Sequence, residues 1–266
     1  MQVIGFCRFS WPAEGGFQVE HDDLATREAY LYAPARMQER FAYFEAICLP
    51  GLKAQTDSDF LFLVLVGTSL PTQYRARLEA LLADFPQARI VARPAGPHRS
   101  VCQEVINEAR DLSEPCLQFR HDDDDAVSVD FVATLREAAS DVLPLLAKHR
   151  LVGFDWNRGH VARPDAQGIC AEESVTPYWG VAQAMAVQPR VRQSIMNFGH
   201  NKILRFMPTL TFTDRPMYVR GHNAHNDSRQ KSHVKPVSLP RLDAQGEAEF
   251  RRLYAIDADQ IRRIFA

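Results

Sequence analysis

The residues most able to do chemistry lie mid-chain, in Gln118-Phe119-Arg120-His121-Asp122-Asp123-Asp124-Asp125-Ala126. Four carboxylates in a row follow a short apolar segment, Cys116 to Phe119. Two unit charges about 4 Å apart repel by roughly 1 kcal/mol in water and roughly 4 kcal/mol at a partly buried site. An ordered turn that keeps four Asp ionised therefore needs a counter-charge. A divalent cation is one solution, because hard cations take carboxylate oxygens and share them with substrate phosphates. In extended backbone, alternate side chains share a side, so Asp122 and Asp124 are expected to face one way and Asp123 and Asp125 the other. The alternatives are a solvated acidic loop, or Asp residues capping a helix that begins near Ser128.

Other groups fit the same chemistry. His222 and His225 share the polar segment Arg220 to Asp227 with two Asn and an Asp. Neutral imidazole beside carboxylates suits Mn²⁺ better than Mg²⁺. Arg8, Arg93, His98 and Arg99 stand just past expected strand ends, where arginine forks suit a diphosphate. Arg99 also precedes a helix whose first amides can serve an anion. Asp155, Asp214 and the pair Glu172-Glu173 are candidates for accepting a proton from a hydroxyl. Trp156, Tyr178 and Trp179 could stack on a sugar or belong to the core.

The elements that must position these residues follow from periodicity. Val3 to Phe9 reads as a strand. A helix is expected from Pro34, with Met37, Phe41, Phe44 and Cys48 as its buried stripe; Pro50-Gly51 should end or kink it. Phe60 to Val66 is apolar throughout, as in a parallel strand buried on both faces. A helix follows Pro71, then a strand at Arg89 to Ala92, a helix at Ser100 to Arg110, and the strand from Cys116. Ser128 to about Lys148 reads as helix, kinked or ended by Pro144, and Leu151 to Trp156 as a strand. Strand and helix thus alternate, the pattern of βαβ units in an open parallel sheet with helices on both sides. Ligands of such sheets bind beyond the carboxyl ends of the strands, where the Asp cluster is expected. Beyond Trp156 the pattern loosens. Asn157 to Thr176 reads as a loop or hairpin, Tyr178 to Val187 as a strand, the segment after Pro189 as a helix, and the tail from Glu247 as helical.

The totals narrow the class. The 266 residues are 46% hydrophobic and 24% charged, with a net charge of −2. That suffices for one large α/β domain and argues against binding nucleic acid through bulk charge. No stretch reaches the roughly 20 apolar residues of a membrane span, and Met1 to Phe6 has no basic lead-in of a signal peptide. Five scattered cysteines point to reduced thiols in a cytoplasm.

Clustered Asp at the end of a strand, after repeated strand–helix units, resembles the D-x-D region of GT-A glycosyltransferases. Phe9-Ser10-Trp11-Pro12, Glu39-Arg40-Phe41 with Phe44-Glu45, Cys48-Leu49-Pro50, Lys53-Ala54-Gln55-Thr56 and Phe119-Arg120-x-Asp-Asp-Asp-Asp together resemble the putative rhamnosyltransferase family of bacteria over roughly residues 1–230. The resemblance implies a single GT-A-like domain, an open, mostly parallel sheet with a nucleotide-sugar half to residue 156 and an acceptor half with C-terminal helices beyond it. It implies a metal-dependent transfer of sugar from a nucleotide-diphosphate donor to a hydroxyl acceptor, a glycan or lipid-linked glycan, possible in surface polysaccharide synthesis. Asp122-x-Asp124-Asp125 then matches D-x-D-D. Asp124 and Asp125, with His222 or His225, become the metal ligands; Arg8, Ser10, Arg99, Asp122 and Asp123 are the candidates for donor contact; Asp155 and Asp214 stay candidates for the base, which the resemblance does not single out. Arg120-His121 departs from the apolar pair usual before the motif. No acid follows the second strand, where Val66-Gly67-Thr68-Ser69 stands. An Asp-dependent phosphohydrolase and a non-catalytic cation-binding module are the competing readings. The first places its Asp after the first strand, which here ends in Arg8-Phe9-Ser10; the second lacks the spacing of a helix–loop–helix calcium site.

Overall fold

Largely apolar runs make the central strands, and their order puts the Asp cluster at the carboxyl end of the middle strand. The computed structural model describes residues 1–15, 21, 23–222 and 239–266. Its main sheet has seven strands, in the spatial order Thr209–Phe212, Leu151–Trp156, Gln183–Val187, Cys116–His121, Gln2–Arg8, Leu61–Gly67 and Ala88–Arg93. Every pairing is parallel except those of Gln183–Val187, which runs against both neighbours. The open, mostly parallel sheet expected from the strand–helix alternation is present.

Both faces are covered, as burial of Leu61–Gly67 beyond its first residue requires. Val3, Cys7, Phe62, Val64, Leu117 and Phe119 pack on one side with Met37, Phe41, Leu78, Phe131 and Leu135 from three helices. Ile4, Phe6, Leu63, Leu65 and Cys116 pack on the other with Cys102, Val105 and Ile106 of the helix His98–Ala109. The alternation along each strand thus divides one sheet between two cores.

A smaller four-stranded sheet, Gly168–Val175, Arg158–Asp165, Tyr218–Gly221 and Ala126–Val127, lies beyond the carboxyl end of Cys116–His121. Its first two strands form an antiparallel hairpin, the second of the two forms expected for Asn157 to Thr176. The helices Ala244–Tyr254 and Ala258–Ile264 pack on this sheet through Phe250, Tyr254 and Ile261.

Several boundaries differ from expectation for local reasons. The helix Pro34–Tyr43 widens into a π-turn at Phe44–Cys48 and continues to Lys53, so Pro50 sits inside it. The looser turn accommodates a residue that cannot donate to the regular ladder. The long helix splits into Phe131–Asp141 and Leu143–Lys148, with Pro144 in the first turn of the second piece. The segment after Pro189 makes short 3₁₀ turns, Ile195–Asn197 and His200–Arg205, where an α-helix was expected. There the Gln118 side chain accepts from the Ile195 amide, and Ser194 and Asn197 cap each other. These side chains satisfy the backbone locally, in competition with a helical ladder. Tyr178 to Ala182 is turn, and the strand starts at Gln183.

Candidate functional site

Cys116–His121 ends at the carboxyl edge of the main sheet, and the chain turns sharply through Asp122 to Asp125, whose amide donates to the Asp122 carbonyl at 3.2 Å. The turn breaks the expected two-by-two division. The Asp122 side chain is 56% exposed, whereas Asp123, Asp124 and Asp125 are buried. Asp123 and Asp124 face the same guanidinium: Arg40 Nη1 lies 2.7 Å from one and 3.2 Å from the other. Neither a solvated loop nor a helix cap describes this arrangement, since the following helix starts only at Phe131, with Asp130 at its N-cap.

The counter-charge demanded by four acids is therefore supplied in large part by arginines. Arg40 neutralises the inner pair. Arg8 Nη2 lies 3.9 Å from Asp122. Desolvation works against ionisation of Asp122, but the guanidinium groups of Arg8, Arg120 and Arg220 outweigh it and hold the carboxyl below its usual range. Burial, then the Asp124 charge, push Asp125 well up, although it accepts from the Gly221 amide at 3.1 Å. Burial also raises Asp123 despite Arg40. Gly221 is required here: a Cβ on it would meet the Asp124 carbonyl oxygen at 2.1 Å. The small sheet thus presses directly on the acidic turn.

Arg120-His121, the departure from an apolar pair, has a physical account. His121 is buried, with its ring edge-on to Phe62 and Phe119 at 6.0 and 6.4 Å between centroids. Desolvation pushes its pKa down to about 4, so at neutral pH it fills the place of an apolar side chain. Arg120 reaches the Phe198 carbonyl at 3.4 Å.

Other expected residues are placed as follows. Ser10, held at φ 48°, accepts from Arg36 Nη1 at 2.9 Å in the interior. Arg99 is exposed at the first turn of His98–Ala109, next to His98, which burial and then Arg8 and Arg120 push down to about 3. Arg93 pairs with Glu108. Asp155 is buried at the end of its strand and accepts from the Tyr178 amide at 3.0 Å. Desolvation raises it to about 6, with that amide and Gln183 acting in the other direction. Its oxygens accept from that amide and from Gln183, so it also holds the turn at Tyr178. Asp214 does not join the cluster: its side chain is 66% exposed and paired with Arg215. Glu173 pairs with Arg158, and Glu172 is exposed on the hairpin. Trp156 is core, whereas Trp179 is half-buried beneath Arg220, 4.7 Å from its ring centroid.

His222 follows the strand Tyr218–Gly221, and its carbonyl accepts from the Tyr43 hydroxyl at 2.8 Å. It lines a cavity of about 580 Å³ with Glu39, Tyr43, Arg163 and Phe265. Burial, then Arg163 and Arg220, push its pKa down. Arg163 and Arg220 act on its charge, and the Gly221 amide just before it donates to Asp125. His225 lies outside the described residues. Among the described residues no three His, Cys, Asp or Glu side chains form a metal-holding group. A cation bound through one or two carboxylates and completed by a donor's phosphates needs no fuller set. Of the four, Asp122 is the exposed carboxylate, and Asp124 lies buried behind it against Arg40.

Residues that the sequence reading left aside include Arg36, Arg40, Arg220, Glu28 and His200. Arg36 and Arg40 recur at i, i+4 in a helix whose other inward residues are apolar, a visible signal for buried cations with partners. Where no acid follows the second strand, Glu28 reaches over from the helix Leu24–Leu31 to accept from the Ser69 hydroxyl.

The model of the putative rhamnosyl transferase family matches residues 2–236. This chain belongs to that family. No curated protein matches the chain. Solved structures similar to it include S. aureus TarS 1-349 in complex with UDP, at 9% identity and TM-score 0.43 over 84% of this chain and 61% of that one. They also include TarS 1-349 with UDP-GlcNAc, at 8% identity and TM-score 0.41 over 84% and 59%. The chain spans about three-fifths of those structures' length. No described helix of this family member is long and apolar enough to cross a membrane. Its five cysteines are all buried and free.

Proposed function

We propose that this rhamnosyl transferase family member moves a sugar from a nucleotide-diphosphate donor to a hydroxyl acceptor. The observation that carries the reading is the buried, arginine-compensated Asp turn at the carboxyl edge of the sheet. Ligands of open parallel sheets bind at that edge. Asp122, the exposed member beside Arg8, is placed to accept from a ribose hydroxyl or to share a cation with the donor. Arg8, Arg99 and Arg120 line the approach with positive charge suited to phosphate oxygens. Asp123 and Arg40 act beneath, fixing the backbone that presents Asp122 and Asp124. A divalent cation at Asp122 and Asp124 would neutralise the departing diphosphate. The acceptor is a hydroxyl-bearing glycan or lipid-linked glycan.

A thermal-shift panel of nucleoside diphosphates, each with and without Mn²⁺, tests this reading. Ligand at 100 times its dissociation constant adds about 2.7 kcal/mol of stability, so one nucleotide should raise the melting temperature by several degrees. Asp124→Ala should abolish the metal-dependent part of that shift. The variant should fold, because Arg40 keeps Asp123 as a partner. No shift with any nucleotide in either condition would overturn the reading. An Mn²⁺-independent shift, unchanged in Asp124→Ala, would remove the cation from it.

A further inference from the structure

We propose that His200 is the general base that takes the proton from the acceptor hydroxyl. The inference rests on the transferase reading and supplies the base that the expected acids do not.

One hydrogen bond fixes which ring nitrogen is basic. His200 Nδ1 lies 2.6 Å from the Tyr178 carbonyl oxygen. A carbonyl can only accept, so Nδ1 carries the hydrogen and Nε2 carries the lone pair. Hydrogen-bonding one ring nitrogen to a fixed acceptor is the usual way to set which nitrogen is basic.

The carbonyl is held from behind. Asp155 accepts from the amide of the same residue, Tyr178, at 3.0 and 3.2 Å from its two oxygens. Gln183 Nε2 donates to the His200 carbonyl at 3.1 Å and approaches Asp155 at 3.4 Å. Between these anchors the turn is strained. Tyr178 and Ala182 have φ of 56° and 48°, and Gly180 has 94°. Left-handed backbone costs a non-glycine residue roughly 1–2 kcal/mol, and such strain persists only where its surroundings fix it. A Cβ on Gly180 would lie 3.2 Å from the His200 side chain, so the turn packs against the ring. Asp155 and Gln183 are thus positioning residues that act through the turn.

The ring also stands in the right field. Arg120 from the aspartate strand, Arg220 from the small sheet and Asp122 from the acidic turn all act on its charge, and it is half-buried. Burial, the largest cause, and the two arginines lower its pKa; the Tyr178 carbonyl and Asp122 act the other way, and the balance is downward. At neutral pH the ring is therefore unprotonated and able to accept. Arg220 also lies over the ring of Trp179, the residue after Tyr178, 4.7 Å from its centroid.

The step balances without an added reactant. The acceptor oxygen bonds to the anomeric carbon, and its proton passes to His200 Nε2. The bond from that carbon to the diphosphate oxygen breaks, and its electron pair leaves with the nucleoside diphosphate.

Two measurements on the full chain test the proposal. In ¹⁵N-histidine spectra, with His200 assigned through His200→Gln, the ring should be the Nδ1–H tautomer and should titrate below 6.5. An Nε2–H tautomer, or titration at or above 6.5, would overturn the proposal whether or not turnover is found. The second measurement follows nucleoside diphosphate release from a panel of UDP-, GDP- and dTDP-linked sugars with water as acceptor. His200→Ala should lower kcat by about 10²–10⁴-fold, abolish the acidic limb of the pH profile and leave the nucleotide thermal shift intact. Release within a few-fold of wild type, with the limb retained, would reject His200 and leave the transferase reading standing. Absence of any nucleotide shift in the wild type would reject the transferase reading itself.

Discussion

At the scale of single residues, the molecule buries several titratable groups wholly or in part, and this leaves a trace in its acid stability. His98 and His121 are pushed down to about 3 and about 4, chiefly by burial. A histidine in the unfolded chain titrates near 6.5. Between that value and its folded pKa, the unfolded state binds the extra proton, so each ring costs stability as pH falls. The raised carboxylates Asp123, Asp125 and Asp155 act in the opposite sense, because the folded state binds their protons first. The contribution of His121 is therefore best read as a difference. Relative to wild type, His121→Leu should gain about 1.4 kcal/mol of stability for each pH unit descended between 6 and 4.5. Urea titrations at three pH values would show this, and parallel stability curves for the two proteins would refute it. The same residue illustrates a limit of reading sequence. An aspartate run announces itself by composition, but a histidine at an apolar position looks polar until its neighbours, Phe62 and Phe119, are known.

At the scale of elements, the acidic turn is held between one helix and one strand. Arg40 projects from Pro34–Tyr43 to bridge Asp123 and Asp124, and Gly221 brings Tyr218–Gly221 against the Asp124 carbonyl. Removing one partner from a buried charge group costs about 3–5 kcal/mol, because the other charge stays behind unpaired. Arg40→Ala should lose that much, by denaturant unfolding, whereas Asp124→Ala should lose far less. Equal losses would mean that Arg40 is not the principal counter-charge. Much of this level was legible in advance. The strand–helix alternation, the apolar Leu61–Gly67 strand and the turn at the carboxyl end of a strand all follow from local pattern. Arg40 was visible within the quoted Glu39-Arg40-Phe41, but its partner lies 83 positions away, and no local spacing reports such a contact. The expected helix after Pro189 failed for a similar reason. Gln118, in a strand distant in sequence, takes the Ile195 amide, a tertiary bond that outcompetes local propensity.

At the scale of the whole molecule, hydrogen bonding crosses residue 156, where a donor half and an acceptor half were expected to meet. Gln183–Val187 inserts between Cys116–His121 and Leu151–Trp156, pairing with both. Ala126–Val127 leaves the first half to pair with Tyr218–Gly221. The Val129 amide donates to the Leu253 carbonyl of a C-terminal helix. One core cluster runs from Val3 to Tyr218 and contains residues of both halves. A fragment ending at 156 would leave the two central strands without their shared neighbour, with open ladder edges prone to association. The intact chain should therefore unfold in one calorimetric transition, with van't Hoff and calorimetric enthalpies in agreement. A nucleoside diphosphate that binds should move that single peak upward as a whole. Two resolved peaks, only one of them shifted by nucleotide, would show that the halves fold independently and that the seven-stranded sheet does not couple donor binding to the acceptor side.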